Sequence, residues 1–334
     1  MSRMRAVGIL STGSCVPERV LTNADLEKMV DTSDEWIVTR TGIRERRICS
    51  ADEASSDLAY QAAVKALEKA NVTADELDLI IVATITPDTL FPSTACLLQE
   101  RLGAKRAAAM DVSAACTGFL YGIATASQFI ATGLYRYVLV VGVETLSKIT
   151  DYKDRNTCVL FGDGAGAALL GPVPSGFGFQ AFDLGADGSG GPLLQLPAGG
   201  SRIPASHESV ENRLHYIAMA GREVFKFAVR VMSSATEAVL AKAGVSKEEI
   251  DLLVPHQANL RIIEAAIKRF GLSEDKVVVN LDRYGNMSSA SIPVALDEAL
   301  AAGRINEGDT VVLVGFGGGL TWGASLLKWT FQRL

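Results

Sequence analysis

Apolar residues fall along this chain in two kinds of run. Short stretches at 77–84, 137–142 and 251–255 are almost continuously apolar, and 106–112 is apolar enough for a short interior strand. Apolar runs of that length are expected where a strand is covered on both faces, as in a parallel sheet under helices. A further strand is expected at 5–13. Residues 157–171 read as two short strands meeting at FGDGAG, and 277–281 as a strand leading into a turn. The longer runs have helical spacing. An Ala-rich helix is expected at 55–70, and 95–102 follows the FPST stretch. A buried helix opens at Thr117-Gly118-Phe119-Leu120 and ends near Ala131, and 224–243 carries one apolar face. Thr22 through Glu27 supplies an N-cap for a helix to about Val30. Residues 32–47 read as a helix start followed by a strongly basic loop, and 151–155 as a polar loop.

The pattern repeats. NVTADELDLIIVAT from Asn71 resembles GVSKEEIDLLVPHQ from Gly244, and aligning Asp78 with Asp251 gives an offset of 251 − 78 = 173. RYVLVVG ends at Gly142 and DTVVLVG at Gly315, and 315 − 142 is again 173. Two independent matches at one offset argue for two copies of one α/β unit meeting near Pro172–Pro174. Residues 1–173 and 174–334 are the expected halves, each a mainly parallel sheet covered by helices.

Composition narrows the function. The 334 residues carry a net charge of −6, which gives no nucleic-acid signature. Five scattered cysteines without CxxC spacing argue against a disulfide framework and a zinc site. The apolar run after Arg3 and Arg5 is too short for a secretory signal and no segment has the length of a membrane span, so a cytoplasmic protein is expected.

The chain is organised around DVSAACTGFLYG, Asp111 to Gly122. Cys116 sits where a strand hands over to a helix. The unpaired amides and dipole of a helix N-terminus favour an anion, so the thiol is expected to have a lowered pKa and act as a nucleophile. A buried cysteine serving as a small hydrophobe is the alternative. FGDGAGA contains G-x-G-x-x-A, but the segment after it is too short and ends in Pro172, so a dinucleotide site is rejected in favour of close packing. Of three histidines, His207 and His215 lie in polar stretches. His256 ends the strand in VPHQANLRI, at the C-terminal edge where open sheets hold their sites. A satisfied structural histidine is the alternative. Asn286, in RYGNMSSASIP, falls in the second copy's equivalent of the Cys116 turn, or simply stabilises a turn after Gly285. VGFGGGLTWG could aim backbone amides at an oxyanion, or form only a hairpin.

Together SAACTGF, VPHQANLRI, YGNMSSASIP and GFGGGLTWG, with TSDEWIVTRTGIRERR and FGDGAGA, resemble the motifs of the β-ketoacyl-acyl-carrier-protein synthase III family. The likeness runs from about Ala6 to Leu327. It implies a thiolase-like fold of two similar halves in five layers, α-β-α-β-α, and the initiating condensation of bacterial fatty acid synthesis. By the same resemblance Cys116 accepts an acyl group from acyl-CoA, His256 and Asn286 complete the catalytic site, and the amides of Cys116 and Gly318 form the oxyanion hole. Thr32, Trp36, Arg40, Arg155, Phe225 and Asn259 are implied to bind CoA, with the adenine between Trp36 and Arg155. Arg222 is a weaker candidate, because some relatives carry Asn there. Phe91 (from across a dimer interface), Leu146 and Phe161 are implied to line the acyl pocket. Lys226, Arg261, Lys268 and Arg269 would receive malonyl-acyl-carrier protein. No metal or cofactor is implied, acyl-CoA being a substrate, and a homodimer is expected. A thiolase would need a second cysteine near the C-terminus, and none follows Cys158. A related ketoacyl synthase of secondary metabolism and a non-catalytic acyl-CoA-binding relative are the competing readings.

Overall fold

The computed structural model describes residues 4–331. The first part of the chain runs β1 (Val7–Cys15), β2 (Val20–Thr22), α1 (Asn23–Leu26), α2 (Asp34–Thr41), β3 (Glu45–Arg47), α3 (Ser55–Ala70), β4 (Leu79–Ala83), α4 (Thr94–Leu102), β5 (Ala108–Val112), α5 (Gly118–Ala131), β6 (Val138–Thr145) and β7 (Asp163–Pro172). It continues with β8 (Gly178–Ala186), β9 (Leu194–Gln195), α6 (His207–Glu211), β10 (Ala218–Met219), α7 (Gly221–Ala243), β11 (Leu252–Pro255), α8 (Leu260–Phe270), α9 (Leu281–Tyr284), α10 (Ser291–Ala301), β12 (Thr310–Gly317) and β13 (Thr321–Lys328).

Two sheets carry the architecture, with orders β1-β7-β6-β4-β5 and β8-β13-β12-β11. In each, the pairings at one end are parallel (β6-β4-β5 and β12-β11) and the other two pairings are antiparallel. Strand for strand the two orders correspond, except that β5 has no full counterpart. Its place is held by a single bridge between Leu253 and Val277, so the strand expected at 277–281 does not form. Helices α3 and α4 cover the outer face of the first sheet, α5 and α10 fill the space between the sheets, and α7 with α8 covers the second sheet. These are the five expected layers.

The repeat has a local chemical basis. Asn71 and Gly244, 173 residues apart, both end their helices in the left-handed region, at φ 51° and 68°. Thr73–Glu76 and Ser246–Glu249 then form matching reciprocal caps. The Asp78 carboxylate accepts from Tyr137 N at 3.1 Å and the Asp251 carboxylate from Thr310 N at 2.9 Å, pinning each first strand to its neighbour.

Three more sequence expectations change. The 106–112 strand is at the sheet's edge and half-exposed rather than interior. Residues 157–171 give one strand, β7, because Thr157–Leu160 is a turn. The basic loop contains β3, whose Arg46 is fully buried and donates to Leu21 O, Asn23 Oδ1 and Val159 O. The FGDGAGA glycines do serve close packing. A Cβ on Gly162 would lie 2.2 Å from Tyr284 O, and one on Gly166 2.7 Å from Val294 N, so the approach of α9 and α10 to β7 requires them.

Each half's turn before its inter-sheet helix docks on the opposite sheet. The Ala115–Thr117 turn packs on β12, and the Ser288–Ala290 turn on β6. Behind them, a Cβ on Gly317 would sit 2.7 Å from Cys116 N, and one on Gly142 2.2 Å from Ser289 O.

Candidate active site

Cys116 follows Ala115, whose φ of 45° bends the chain sharply between β5 and α5. Thr117 Oγ1 holds the bend by bonding Ala114 O at 2.7 Å and the Thr321 hydroxyl at 2.8 Å. The thiol is buried, and burial pushes its pKa up to about 12, with the Ser288 hydroxyl pulling the other way. The lowered pKa expected from the helix N-terminus is therefore corrected. α5 begins two residues later, and burial is the largest influence on the thiol. Cys116 rests as a thiol.

His256 lies just beyond β11, its N–H bonded to Val314 O at 2.8 Å and its ring edge-on to Phe316 at 5.5 Å. The side chain is buried and neither ring nitrogen has a partner. Burial lowers its pKa to about 3, so the imidazole is neutral and offers one N–H donor and one acceptor. Asn286 Oδ1 accepts from Ser288 N at 2.8 Å, which fixes the amide flip and leaves Nδ2–H2 as the available donor. Its backbone is fixed between Leu160 O and Gly162 N.

Cys116, His256 and Asn286 line one cavity together with Phe225, Asn259 and Phe316. On its other side Cys116 opens onto a second cavity of about 190 Å³, walled by Ile85, Leu146, Ile149, Phe161 and Ile217, with Gly318 at its edge. A cavity of that size and apolarity has room for several carbon atoms. Leu146 and Phe161 thus line this apolar cavity. Phe91 does not reach either cavity of its own chain; it is 86% exposed ahead of α4.

The residues assigned to CoA gather around α2 and α8. The Arg40 and Arg155 guanidiniums lie 4.8 and 5.5 Å from the Trp36 ring centre. Arg155 is too close for a planar base to lie between it and Trp36 without a shift, and it donates to Asp31 O at 2.9 Å. Thr32 Oγ1 is buried without a partner. Asn259 caps α8 through Arg261 N and donates to Arg40 O at 2.9 Å, tying α8 to α2. Arg261 extends over Phe225, 5.7 Å from the ring centre, and Lys226 and Lys268 are exposed. Arg269 is instead engaged by Glu237 at 3.0 Å. Arg222 is exposed, and His215 bonds the Ser209 hydroxyl away from both cavities. Among the described residues, no group of three His, Cys, Asp or Glu could hold a metal ion, and no helix is long and apolar enough to cross a membrane.

Sequence reasoning missed the buried pair behind the site, Glu144 and Ser289. The repeat could have found Ser289, because 116 + 173 = 289. It corrects the alignment too: Ser289, not Asn286, is the counterpart of Cys116, and Ser288 at φ 46° is the counterpart of Ala115.

The chain is similar to known proteins over nearly its whole length. Residues 110–188 match the family model for 3-oxoacyl-[acyl-carrier-protein] synthase III, and 240–329 match that of its C-terminal domain. A β-ketoacyl-[acyl-carrier-protein] synthase III of Desulfitobacterium hafniense is 63% identical, covering 98% of this chain and 99% of its own. The crystal structure of the Thermus thermophilus synthase III is 54% identical with a TM-score of 0.91, over 97% of this chain and all of its own. That of Aquifex aeolicus is 49% identical with a TM-score of 0.90, at the same coverage. The fold is thiolase-like, and the protein is an acyltransferase of the condensing-enzyme class. A cysteine with a neutral histidine and an asparagine on one cavity suits that chemistry. The chain belongs to the β-ketoacyl-[acyl-carrier-protein] synthase III family, whose members begin fatty acid synthesis.

Proposed function

We propose that this chain condenses an acyl group taken from acyl-CoA with malonyl-acyl-carrier protein, and that Cys116, His256 and Asn286 carry the reaction. The observation behind this reading is their convergence on one cavity that continues past Cys116 into an apolar one. Cys116 Sγ attacks the thioester carbonyl, whose oxyanion is held by the amides of Cys116 and Gly318. The C–S bond to CoA breaks, and the thiol proton leaves with CoA sulfur. The acyl chain enters the Leu146–Phe161 cavity. Malonyl-carrier protein then loses carbon dioxide, and the electron pair of the broken C–C bond becomes an enolate. His256 N–H and Asn286 Nδ2–H bond the enolate oxygen. Neutral donors suit this step, since they stabilise the developing charge without protonating the carbon. The enolate carbon attacks the acyl-Cys116 carbonyl, 3-ketoacyl-carrier protein departs, and the thiolate recovers a proton from solvent.

Thr32, Trp36, Arg40, Arg155, Phe225 and Asn259 are proposed to hold CoA, with Arg155 swinging off Trp36 to admit the adenine. Lys226, Arg261 and Lys268 would receive the acidic carrier protein, and Arg269 would contribute less because of Glu237. The half-exposed edge strand β5 and the exposed Leu90 and Phe91 support a homodimer, in which Phe91 closes the partner's acyl pocket. We further propose that the chain divides at residue 173 into two like halves, that it acts in the cytoplasm, and that it needs no cofactor. Intact-protein mass spectrometry tests the chemistry. Acyl-CoA should add one acyl group, absent in Cys116→Ser, and malonyl-carrier protein should then remove it as ketoacyl product. An acyl adduct that persists in Cys116→Ser would refute the assignment.

A further inference from the structure

The turn opposite Cys116 poses a problem of proton counting. Ser289 Oγ lies 2.7 Å from Ala83 O, 3.5 Å from Val143 O and 2.9 Å from Glu144 Oε1. A serine hydroxyl has one proton, and a carbonyl can only accept. The shortest contact, to Ala83 O, uses that proton. Glu144 Oε1 then faces the serine's lone pairs, an arrangement that bonds only if the carboxyl itself carries a proton. The other oxygen, Oε2, accepts from Thr86 Oγ1 at 2.7 Å, Ile85 N at 3.1 Å and Thr84 Oγ1 at 3.3 Å. One carboxyl oxygen is thus surrounded by donors and the other meets an acceptor, the pattern of a carboxylic acid. Glu144 is fully buried and makes no ion pair among the described residues. An ionised carboxylate there would stand unpaired in the interior, at high cost.

We propose that Glu144 is a neutral carboxylic acid that donates to Ser289 Oγ, and that it is a positioning residue for the Asn286 turn. Burial raises its pKa, against the pull of the Thr86, Ser289 and Ser288 hydroxyls and the Ile85 amide. The link to chemistry runs through the chain: Glu144 anchors Ser289, and the adjoining Ser288 N–H holds Asn286 Oδ1. On the other side Oε2 holds Ile85, a wall of the acyl cavity. A neutral anchor keeps a fixed negative charge away from a site where an oxyanion and an enolate must form. The counterpart of Glu144 in the repeat is residue 317, a glycine, where any side chain would strike Cys116 N. The acid therefore backs only the turn that carries no nucleophile. The positioning role rests on the function proposed above; the protonation state does not.

The test uses full-length protein at neutral pH. Infrared difference spectra between wild type and Glu144→Gln should contain a protonated-carboxyl C=O band that moves in deuterated water. Alkylation of Cys116, followed on its own peptide, should keep its rate in Glu144→Gln, because no charge has been removed. Glu144→Gln should also keep condensation within about threefold, since its amide can donate to Ser289 and accept from Thr86. Glu144→Ala should still be acylated but condense about tenfold or more slowly. The absence of the infrared band, or Cys116 alkylation about tenfold faster in Glu144→Gln, would overturn the protonation assignment. Equal condensation by wild type and Glu144→Ala would overturn the positioning role. A wild-type protein that failed to condense would instead count against the proposed function and leave the infrared result standing.

Discussion

His256 should remain neutral well below the pH at which histidines ordinarily ionise. Its ordinary pKa is 6.5 and burial lowers it to about 3, with no carboxylate bonded to either ring nitrogen. In the unfolded chain the ring is free to take a proton near its ordinary value, so between these limits the unfolded state binds more protons. Stability therefore rises with pH across this window and is lost as pH falls from 6.5 toward 3. At about 1.36 kcal/mol per pH unit the whole window is worth about 5 kcal/mol, and acidification to pH 5 should remove about 2 kcal/mol. The assay pairs two measurements. Urea unfolding of wild type and His256→Gln at neutral pH and at pH 5 should differ in its pH dependence by about that amount, with the wild type more acid-sensitive. Histidine-labelled protein, with only His207, His215 and His256 to resolve, should show one imidazole whose NMR shift stays constant down to pH 5. Titration of that third resonance near 6.5 would falsify the claim that His256 acts as a neutral donor.

Three further outcomes follow from the same geometry. Asn286→Ala removes one of the two proposed enolate donors while leaving Cys116 in place, so acylation should persist and condensation should fall about a hundred- to a thousand-fold by single-turnover kinetics. Gly317→Ala places a methyl 2.7 Å from Cys116 N, and thermal unfolding should show a loss of about 1–3 kcal/mol together with slowed acylation. Arg261→Glu should raise the Michaelis constant for malonyl-carrier protein and spare transfer from acyl-CoA. Arg269→Glu, which loses only the Glu237 pair, should change it less.

The repeat made much of the fold legible before any coordinates. The 173-residue offset lies in paired signals that act locally, the Asn71 and Gly244 helix ends and the Asp78 and Asp251 strand pins, so it survives in the sequence. The 55–70 helix was legible to the residue, because its apolar positions face one sheet. Edge position was not, since Ala108–Val112 reads as apolar whether a strand or solvent lies beside it. The three cavity residues were found at strand and turn ends, but their protonation states were not. Those depend on how deeply the folded chain excludes water, which no motif records; the same helix N-terminus that suggested a thiolate is overruled by the burial of Cys116. Glu144 escaped notice because it continues an apolar strand, and its partners arrive from 58 to 145 residues away, on the Thr84–Thr86 segment and at Ser289.

The crossed docking of the two turns, Cys116's on β12 and Ser289's on β6, makes each half of the chain part of the other's support. Neither turn can shift without disturbing the opposite sheet. The Cys116 turn has Gly317 behind it, where any side chain would strike its backbone. The Ser289 turn has the buried acid Glu144 behind it instead. One turn is therefore left room, and the other is bolted in place.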